Sequence, residues 1–369
     1  MINNITKCEA IKLDSVRGEV FNPIVGWSYS HHAHITYFKG KFLAIWSNGR
    51  VHEDDLGQRV VLAESIDGEN WGNVRPILTV EMLGDIKKVV TATGFHIYED
   101  TLYVYYGAYN YEEEFLQDGN TRPGDDAHHI NTDLGYISTT DLINWTEPKS
   151  LGISVIPNHG PQKTNSGRLI ISGNVMFPYT DNPNGVEDFN ITGIYGDAFG
   201  DDTPVDDSAS IYHVTRFNGW GKVLICEGSF YQTDDDTIHM LLRSNSGCLW
   251  HTESKDDGVT WSDPKPTDYS DDSSKFHLGR LPDGRFYCVS NAKFGSARCP
   301  LDIFISEDGE NFNKHFILRD EPYEIQIEGM NKSGSYGYPH TLIHDGHMYI
   351  IYSKGKEAIE VTKISLDDL

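Results

Sequence analysis

Ser65-Ile66-Asp67-Gly68-Glu69-Asn70-Trp71 follows the β-branched run Arg59-Val60-Val61-Leu62-Ala63-Glu64. Its pattern, S-x-D-G-x-x-W, suits a tight hairpin: Asp closes an Asx-type turn, Gly takes a positive φ, and the aromatic plugs the turn onto the sheet. The pattern recurs as Ser306-Glu307-Asp308-Gly309-Glu310-Asn311-Phe312, with Phe for Trp. Ser254-Lys255-Asp256-Asp257-Gly258-Val259-Thr260-Trp261 carries one extra residue. Thr139-Thr140-Asp141-Leu142-Ile143-Asn144-Trp145 keeps Thr, Asp and Trp but lacks the Gly. Recurrence of one turn signals a repeated sheet unit.

Working outward, strand-like runs broken by Gly, Asn and Asp recur along the whole chain. Residues 33–46 read as two strands around Lys39-Gly40-Lys41, and 90–107 repeat that plan. A third unit spans about 155–220, with strands at 168–173 and 209–216, and ends at Asn218-Gly219-Trp220. Units four to six span 227–261, 276–312 and 338–366, the last two turning at Leu281–Arg285 and Ile343–His347. Aromatic anchors at 71, 145, 220, 261 and 312 fit four-stranded propeller blades with loops of variable length. The expectation is an all-β, six-bladed β-propeller in one domain over 1–369, its last blade closed by an N-terminal strand near 8–14. A seventh blade would have to come from 1–30 plus 315–335. Residues 110–132 and 178–207, rich in Asp, Asn and Gly, read as insertions rimming a pocket.

Bulk composition narrows the function classes. The 369 residues carry 35 Gly, 12% aromatics and a net charge of −25. That charge opposes nucleic acid and anionic membrane surfaces, which need Lys/Arg patches. No apolar run of membrane-spanning length occurs, and MINNITKCEAIKL lacks the apolar stretch of a secretory signal. Cys8, Cys226, Cys248, Cys288 and Cys299 are odd in number and scattered, so a reducing, cytoplasmic setting is expected. No cofactor is called for. The runs Asp125-Asp126, Asp201-Asp202, Asp206-Asp207, Asp234-Asp235-Asp236 and Asp271-Asp272 offer oxygen ligands suited to a structural Ca²⁺, without EF-hand spacing.

The repeated turns resemble the Asp boxes of the sialidase superfamily (BNR repeats), and other features follow that family's order. In sialidases the first blade opens with Arg-Ile-Pro, and an Asp general acid follows its second strand. Tyr29-Ser30-His31-His32-Ala33-His34-Ile35 and Arg50-Val51-His52-Glu53-Asp54-Asp55 stand in those places. The Glu that activates the nucleophilic Tyr opens a later blade, where this chain has Cys226-Glu227-Gly228. Leu242-Arg243-Ser244, then Ser290-Asn291 with Arg298, match the following Arg positions, and Tyr336-Gly337-Tyr338-Pro339 matches the Tyr. The resemblance implies an acidic sugar substrate, with Tyr338 or Tyr336 and Glu227 in catalysis and Arg243 and Arg298 binding it. The first Arg of the sialidase carboxylate triad is absent, and a His pair replaces it.

That His-rich opening resembles the propeller enzymes that remove terminal rhamnose from glucuronate, including rhamnosyl-glucuronate lyases. The second resemblance implies catalysis by His31, His32 and His52, with Gln58 and Arg59 behind them and Tyr106 or Tyr105 as the phenol. β-Elimination needs a base for the C5 proton, an acid for the leaving oxygen, and cations on the carboxylate; His, Tyr and Arg meet these needs. Hydrolysis needs a carboxyl pair such as Asp54 or Glu53 with Glu227. Both sets are present. Elimination on rhamnosyl-glucuronate is the leading expectation; a sialidase- or rhamnosidase-type hydrolase and a non-catalytic glycan-binding propeller are the alternatives. The expected partner is an acidic oligosaccharide.

Three placements follow from strand geometry. His31 and His32 are adjacent on a strand, so alternation sends them to opposite faces and at most one into the pocket. His159, in Pro157-Asn158-His159-Gly160, begins a blade where inner strands open into the pocket. His128-His129 sits on a loop near the rim.

Overall fold

The computed structural model describes residues 9–112, 116, 129–194, 213–217 and 221–369. They form six sheets of mostly antiparallel strands. Blade 1 consists of Tyr29–Phe38, Lys41–Gly49, Arg59–Ser65 and Trp71–Leu78, and blade 2 of Val89–Tyr98, Thr101–Tyr111, His129–Thr139 and Lys149–Ile153. Blade 3 shows three short strands, Gln162–Lys163, Leu169–Ile170 and Tyr179–Thr180. Blade 4 runs through Gly221–Gln232, Ile238–Ser244, Cys248–Ser254 and Lys265–Ser270. Blade 5 has His277–Arg280, Phe286–Ser290, Leu301–Ser306 and Phe312–Arg319; blade 6 has Tyr336–His344, His347–Lys354 and Ala358–Ser365.

The core lies between blades, not within them. Leu43, Ile45 and Leu62 of blade 1 pack on Val90, Leu102 and Val104 of blade 2. Tyr105 and Leu134 of blade 2 meet Ile171 and Met176 of blade 3, and Ile170 and Phe177 meet Met240, Leu242 and Trp250 of blade 4. Blade 4 continues through Leu241 and Leu249 to Leu278 and Phe286 of blade 5, and Val289 and Ile303 reach Met348 and Ile350 of blade 6. Tyr349, Ile351 and Ile359 then return to Ala33, Ile35 and Phe42 of blade 1. Six apolar seams joining six sheets in sequence close a ring, as expected of a six-bladed propeller.

The Asp turns hold as the sequence predicts. Asp67 Oδ1 accepts from the Glu69 and Asn70 amides at 2.9 and 2.8 Å, and Ser65 Oγ accepts from the Gly68 amide at 2.9 Å. Asp308 repeats the arrangement, and those bonds help hold its carboxyl down at about 2 against the opposing effect of partial burial. Gly68 has φ 76°, and a Cβ there would stand 2.4 Å from the Tyr349 ring of blade 6. Each such turn joins the third and fourth strands of its blade. In the degenerate copy Leu142 adopts φ 65° and buries its side chain.

Three expectations need correction. Val16–Phe21, not 8–14, closes blade 6, pairing antiparallel with Ala358–Ser365. Ala10–Lys12 instead adds a parallel strand to blade 5 beside Phe312–Arg319. His213–Phe217 pairs with Gly221–Gln232 of blade 4, so it does not belong to the third unit. Residues 320–335 are no seventh blade: the buried Glu357 carboxylate accepts from the Gln326 and Ile327 amides at 2.8 and 2.7 Å and pins the segment as a loop. Cys8, Trp220, His128 and the Asp pairs at 125–126, 201–202 and 206–207 lie outside the described residues. No helix among the described residues is long and apolar enough to cross a membrane.

Candidate active site

Strand direction fixes which end of the ring carries the pocket. Inner strands start, and second strands finish, at one end; the Asp turns close third strands at the other. A pocket lies at the first end, lined by His32, Glu53, Asp54, Tyr109, His129, Asn158, Asn174, Glu227, Arg243, Lys275, Arg298, Tyr338 and Lys356. The Asp turns are on the face away from it.

A shared local device delivers the pocket side chains. The inner strands of blades 1, 4 and 6 each slip register, between His31 and His34, Cys226 and Gly228, and Gly337 and His340. Within these bulges His32, Glu227 and Tyr338 adopt left-handed φ of 53°, 50° and 57°. Asp54 and Arg298, on pocket loops, share that conformation at 56° each. Such backbones cost about 1–2 kcal/mol per residue, and their concentration on a pocket marks a place where side-chain aim outranks backbone comfort.

At the pocket floor Arg243 Nη1 donates to Glu227 Oε2 at 2.5 Å and to Tyr338 Oη at 2.9 Å. The Tyr338 hydroxyl donates to Glu227 Oε1. Burial opposes ionisation of Glu227, but the Arg243 guanidinium, the Tyr338 hydroxyl and Lys275 outweigh it and hold the carboxyl below its ordinary value. Burial, with Glu227 beside it, pushes the Tyr338 phenol well up. The resting triad is thus a carboxylate, a neutral phenol and a guanidinium.

Cations surround it. Arg298 Nη2 donates to the Ser273 carbonyl at 3.1 Å, while its buried Nη1 has no partner. Lys275 Nζ donates to the Asn158 carbonyl at 2.6 Å, and burial brings it down to about 7. Lys356 Nζ reaches Glu53 Oε1 at 2.6 Å. The floor therefore presents an unspent guanidinium donor inside a protein of net charge −25.

The predicted residues scatter more than the sequence suggested. His32, Glu227, Arg243, Arg298, Tyr338 and the loop carboxylates Glu53 and Asp54 come together. His31 does not line the pocket but backs Tyr338, ring centroids 4.0 Å apart, and His32 is 5.2 Å from the same ring. The bulge defeats simple alternation and puts both imidazoles against one phenol. Ser353 Oγ donates to the Gly337 carbonyl, so it accepts from His31 Nδ1 at 2.6 Å, which fixes that tautomer.

Seven further residues fall outside the lining. His52 Nδ1 accepts from the Met330 amide at 2.8 Å. Tyr106 is buried in the seam between blades 1 and 2, and Tyr105 donates to the Gly185 carbonyl at 2.6 Å. Gln58 donates to the Val90 carbonyl, Arg59 lies 3.4 Å over the Trp27 ring, and Tyr336 donates to the Glu321 carbonyl. His159 sits beneath the pocket among other histidines in the channel. The sequence reading missed Lys275 and Lys356. Lys356 had a usable signal: it follows the second strand of blade 6, as Glu53 and Asp54 follow that of blade 1.

The family model described as a BNR repeat-like domain matches residues 40–350. The chain belongs to the BNR repeat-like domain family. Among solved structures this BNR propeller is similar to a protein of unknown function from Dyadobacter fermentans, at 14% identity and TM-score 0.67, over 95% of this chain and 98% of that one. The intramolecular trans-sialidase of Ruminococcus gnavus, in complex with oseltamivir carboxylate, matches at 13% identity and TM-score 0.62, over 95% and 98%. Trypanosoma rangeli sialidase in complex with sialic acid matches at 14% and 0.62, over 97% of this BNR propeller and 60% of that chain. At such identities the likeness concerns the fold. No curated protein matches the sequence.

Proposed function

We propose that this protein is a sialidase-type glycoside hydrolase acting on an acidic sugar. The contact of Tyr338 with both Glu227 and Arg243 carries the reading. Glu227 takes the phenolic proton, and the phenolate oxygen attacks the anomeric carbon as the glycosidic bond breaks. Arg243 offsets the charge that develops on the phenolate. Asp54, on the pocket loop after the second strand of blade 1, donates a proton to the leaving oxygen. Asp54, now a carboxylate, takes a proton from water as the water oxygen displaces Tyr338 from the anomeric carbon, and Glu227 returns the phenolic proton to Tyr338. Arg298, with Lys275 and Lys356, receives the substrate carboxylate.

Sialic acid is the first sugar to test, because two similar propellers are described with sialic acid or as a trans-sialidase. The elimination reading has less support from the geometry: His52 and Tyr106 lie outside the pocket, and His31 is buried behind Tyr338. Fluorogenic sialoside and glucuronide substrates and a rhamnosyl-glucuronate oligosaccharide should be offered to the purified protein. Turnover of an acidic glycoside, with an analogue fluorinated on the carbon beside its anomeric centre trapped on Tyr338, is the expected result. Rise of unsaturated-uronate absorbance from the oligosaccharide would replace this reading with elimination, and glycan binding with no turnover would leave a lectin-like propeller.

A further inference from the structure

Below the pocket floor, inner strands from several blades bring histidines to the ring axis. His34 lies on blade 1, His340 on blade 6 and His277 on blade 5, while His159 leads into blade 3. Ring centroids of His34 lie 4.9 Å from His340 and 6.0 Å from His159; His159 and His340 are 5.8 Å apart. One nitrogen of each of His34, His159 and His340 lies within 4.8 Å of the others.

The hydrogen bonding of this cluster is incomplete. His34 is fully buried, yet neither Nδ1 nor Nε2 has a partner. His159 is 1% exposed; its Nε2 donates to the Phe276 carbonyl at 3.2 Å, which leaves Nδ1 as a lone pair with no donor. At His340, Nδ1 accepts from the Ile35 amide at 3.4 Å, the outer limit of a hydrogen bond. A buried imidazole without partners costs free energy that a fold does not normally leave uncompensated.

From these orphaned nitrogens we infer that the channel is a binding site for one first-row transition-metal dication, held by His34, His159 and His340. Imidazole nitrogens suit Zn²⁺, Cu²⁺ or Ni²⁺, while Ca²⁺ and Mg²⁺ want oxygen. Tetrahedral Zn–N bonds of about 2.1 Å place ligand nitrogens roughly 3.4 Å apart, so small ring rotations close the site. The bond from His159 to the Phe276 carbonyl is the outer-shell contact that usually orients such a ligand. His277, 4.7 Å from His159 by ring centroid with Nδ1 bonded to Thr341 at 2.8 Å, borders the fourth position. His34 and His340 each follow a pocket residue, His32 and Tyr338, by two positions. The ion therefore ties blades 1, 3 and 6 together directly behind the pocket.

The other metal-capable group among the described residues is His239, His251 and Glu253 on blade 4. It differs because His239 Nδ1 and His251 Nε2 already satisfy each other at 3.0 Å. It serves as the internal control.

The test uses chelator-treated full-length protein titrated with Zn²⁺ and, for its visible d–d bands, Co²⁺. One ion per chain is expected, with Tm raised by roughly 3–6 °C at a hundredfold excess over Kd. Binding should vanish in His34→Gln and His340→Gln and survive in His251→Gln. Anomalous scattering from zinc-soaked wild-type crystals should place the ion between the three rings, whatever the stability of the variants. No binding, binding lost only in His251→Gln, or an anomalous peak elsewhere would overturn the proposal.

Discussion

Tyr338 donates to Glu227 across the pocket floor, joining blade 6 to blade 4 over 111 positions of sequence. Both residues sit in bulges with left-handed backbones, so each is aimed by its own strand end and the pair meets only in the closed ring. Under the hydrolase reading, Tyr338→Phe should leave less than a hundredth of wild-type kcat, since the nucleophile is gone. Glu227→Gln should cost roughly 10²–10⁴-fold. Circular dichroism and kcat on one acidic glycoside check both.

Arg298 Nη1 has no partner, whereas Arg243 Nη1 is engaged by both Glu227 and Tyr338. Arg298→Ala should weaken substrate binding by roughly 10–100-fold, the worth of a charged hydrogen bond, with a smaller effect on kcat. Arg243→Ala should lower kcat more than it raises KM, because Arg243 touches the nucleophile pair. A KM-against-kcat comparison of the two variants separates the roles.

Lys275 gives the pocket a pH response. Burial brings its ammonium down to about 7, with Glu227 opposing the fall. As pH rises through that value the cation is lost, so KM for an anionic sugar should climb above neutrality. Lys275→Met should raise KM below pH 7 and flatten the profile. An unchanged profile in the variant would remove Lys275 from substrate binding.

Asp271 should shape stability. Burial lifts its carboxyl from 3.8 to about 7, although Arg243 and Arg298 oppose the rise. The folded state therefore holds a proton that the unfolded chain has released, and stability from this group falls as pH rises from about 4 to about 7. Asp271→Asn should remove that slope, narrowing the Tm difference between pH 5 and pH 8. Equal slopes in variant and wild type would refute the assignment.

The imperfect Asp turn poses a contest of magnitudes. Leu142 holds φ 65° at a strain of about 1–2 kcal/mol, which Gly would relieve. Its buried side chain is worth about 2–5 kcal/mol. Leu142→Gly should therefore destabilise by roughly 1–3 kcal/mol in urea unfolding, despite restoring the repeat. Gly68→Ala should destabilise too, since its Cβ would strike the Tyr349 ring.

Local chemistry explains what was legible. The Asp turns depend only on neighbouring residues, so Asp67 and Asp308 announced their hairpins and the blade count followed. Glu227, Arg243 and Tyr338 were readable because they hold fixed places relative to those turns. The bulges were not readable: the slip at His31–His34 depends on what the strand meets across the ring, and period-two alternation has no term for it. Tyr106 looked like a pocket phenol for the same reason, although its strand carries it into the seam with blade 1. Lys275 escaped notice because only burial gives it its character. The strand that closes blade 6 was misplaced by a few residues because 8–14 and 16–21 both mix apolar and charged residues, and only pairing separates them.

That pairing also sets an order of events in the cell. Val16–Phe21 is synthesised before any blade, and its partner Ala358–Ser365 emerges after all the others. At ribosomal speeds the wait is on the order of tens of seconds, during which an early strand keeps its backbone donors and acceptors open to any neighbour. Blades 1 to 5 can assemble as they appear, but the ring locks only after translation has passed the final strand. A nascent chain of this protein is therefore an open arc with two unpaired edges, and its hazards of mispairing belong to that arc, not to the finished propeller.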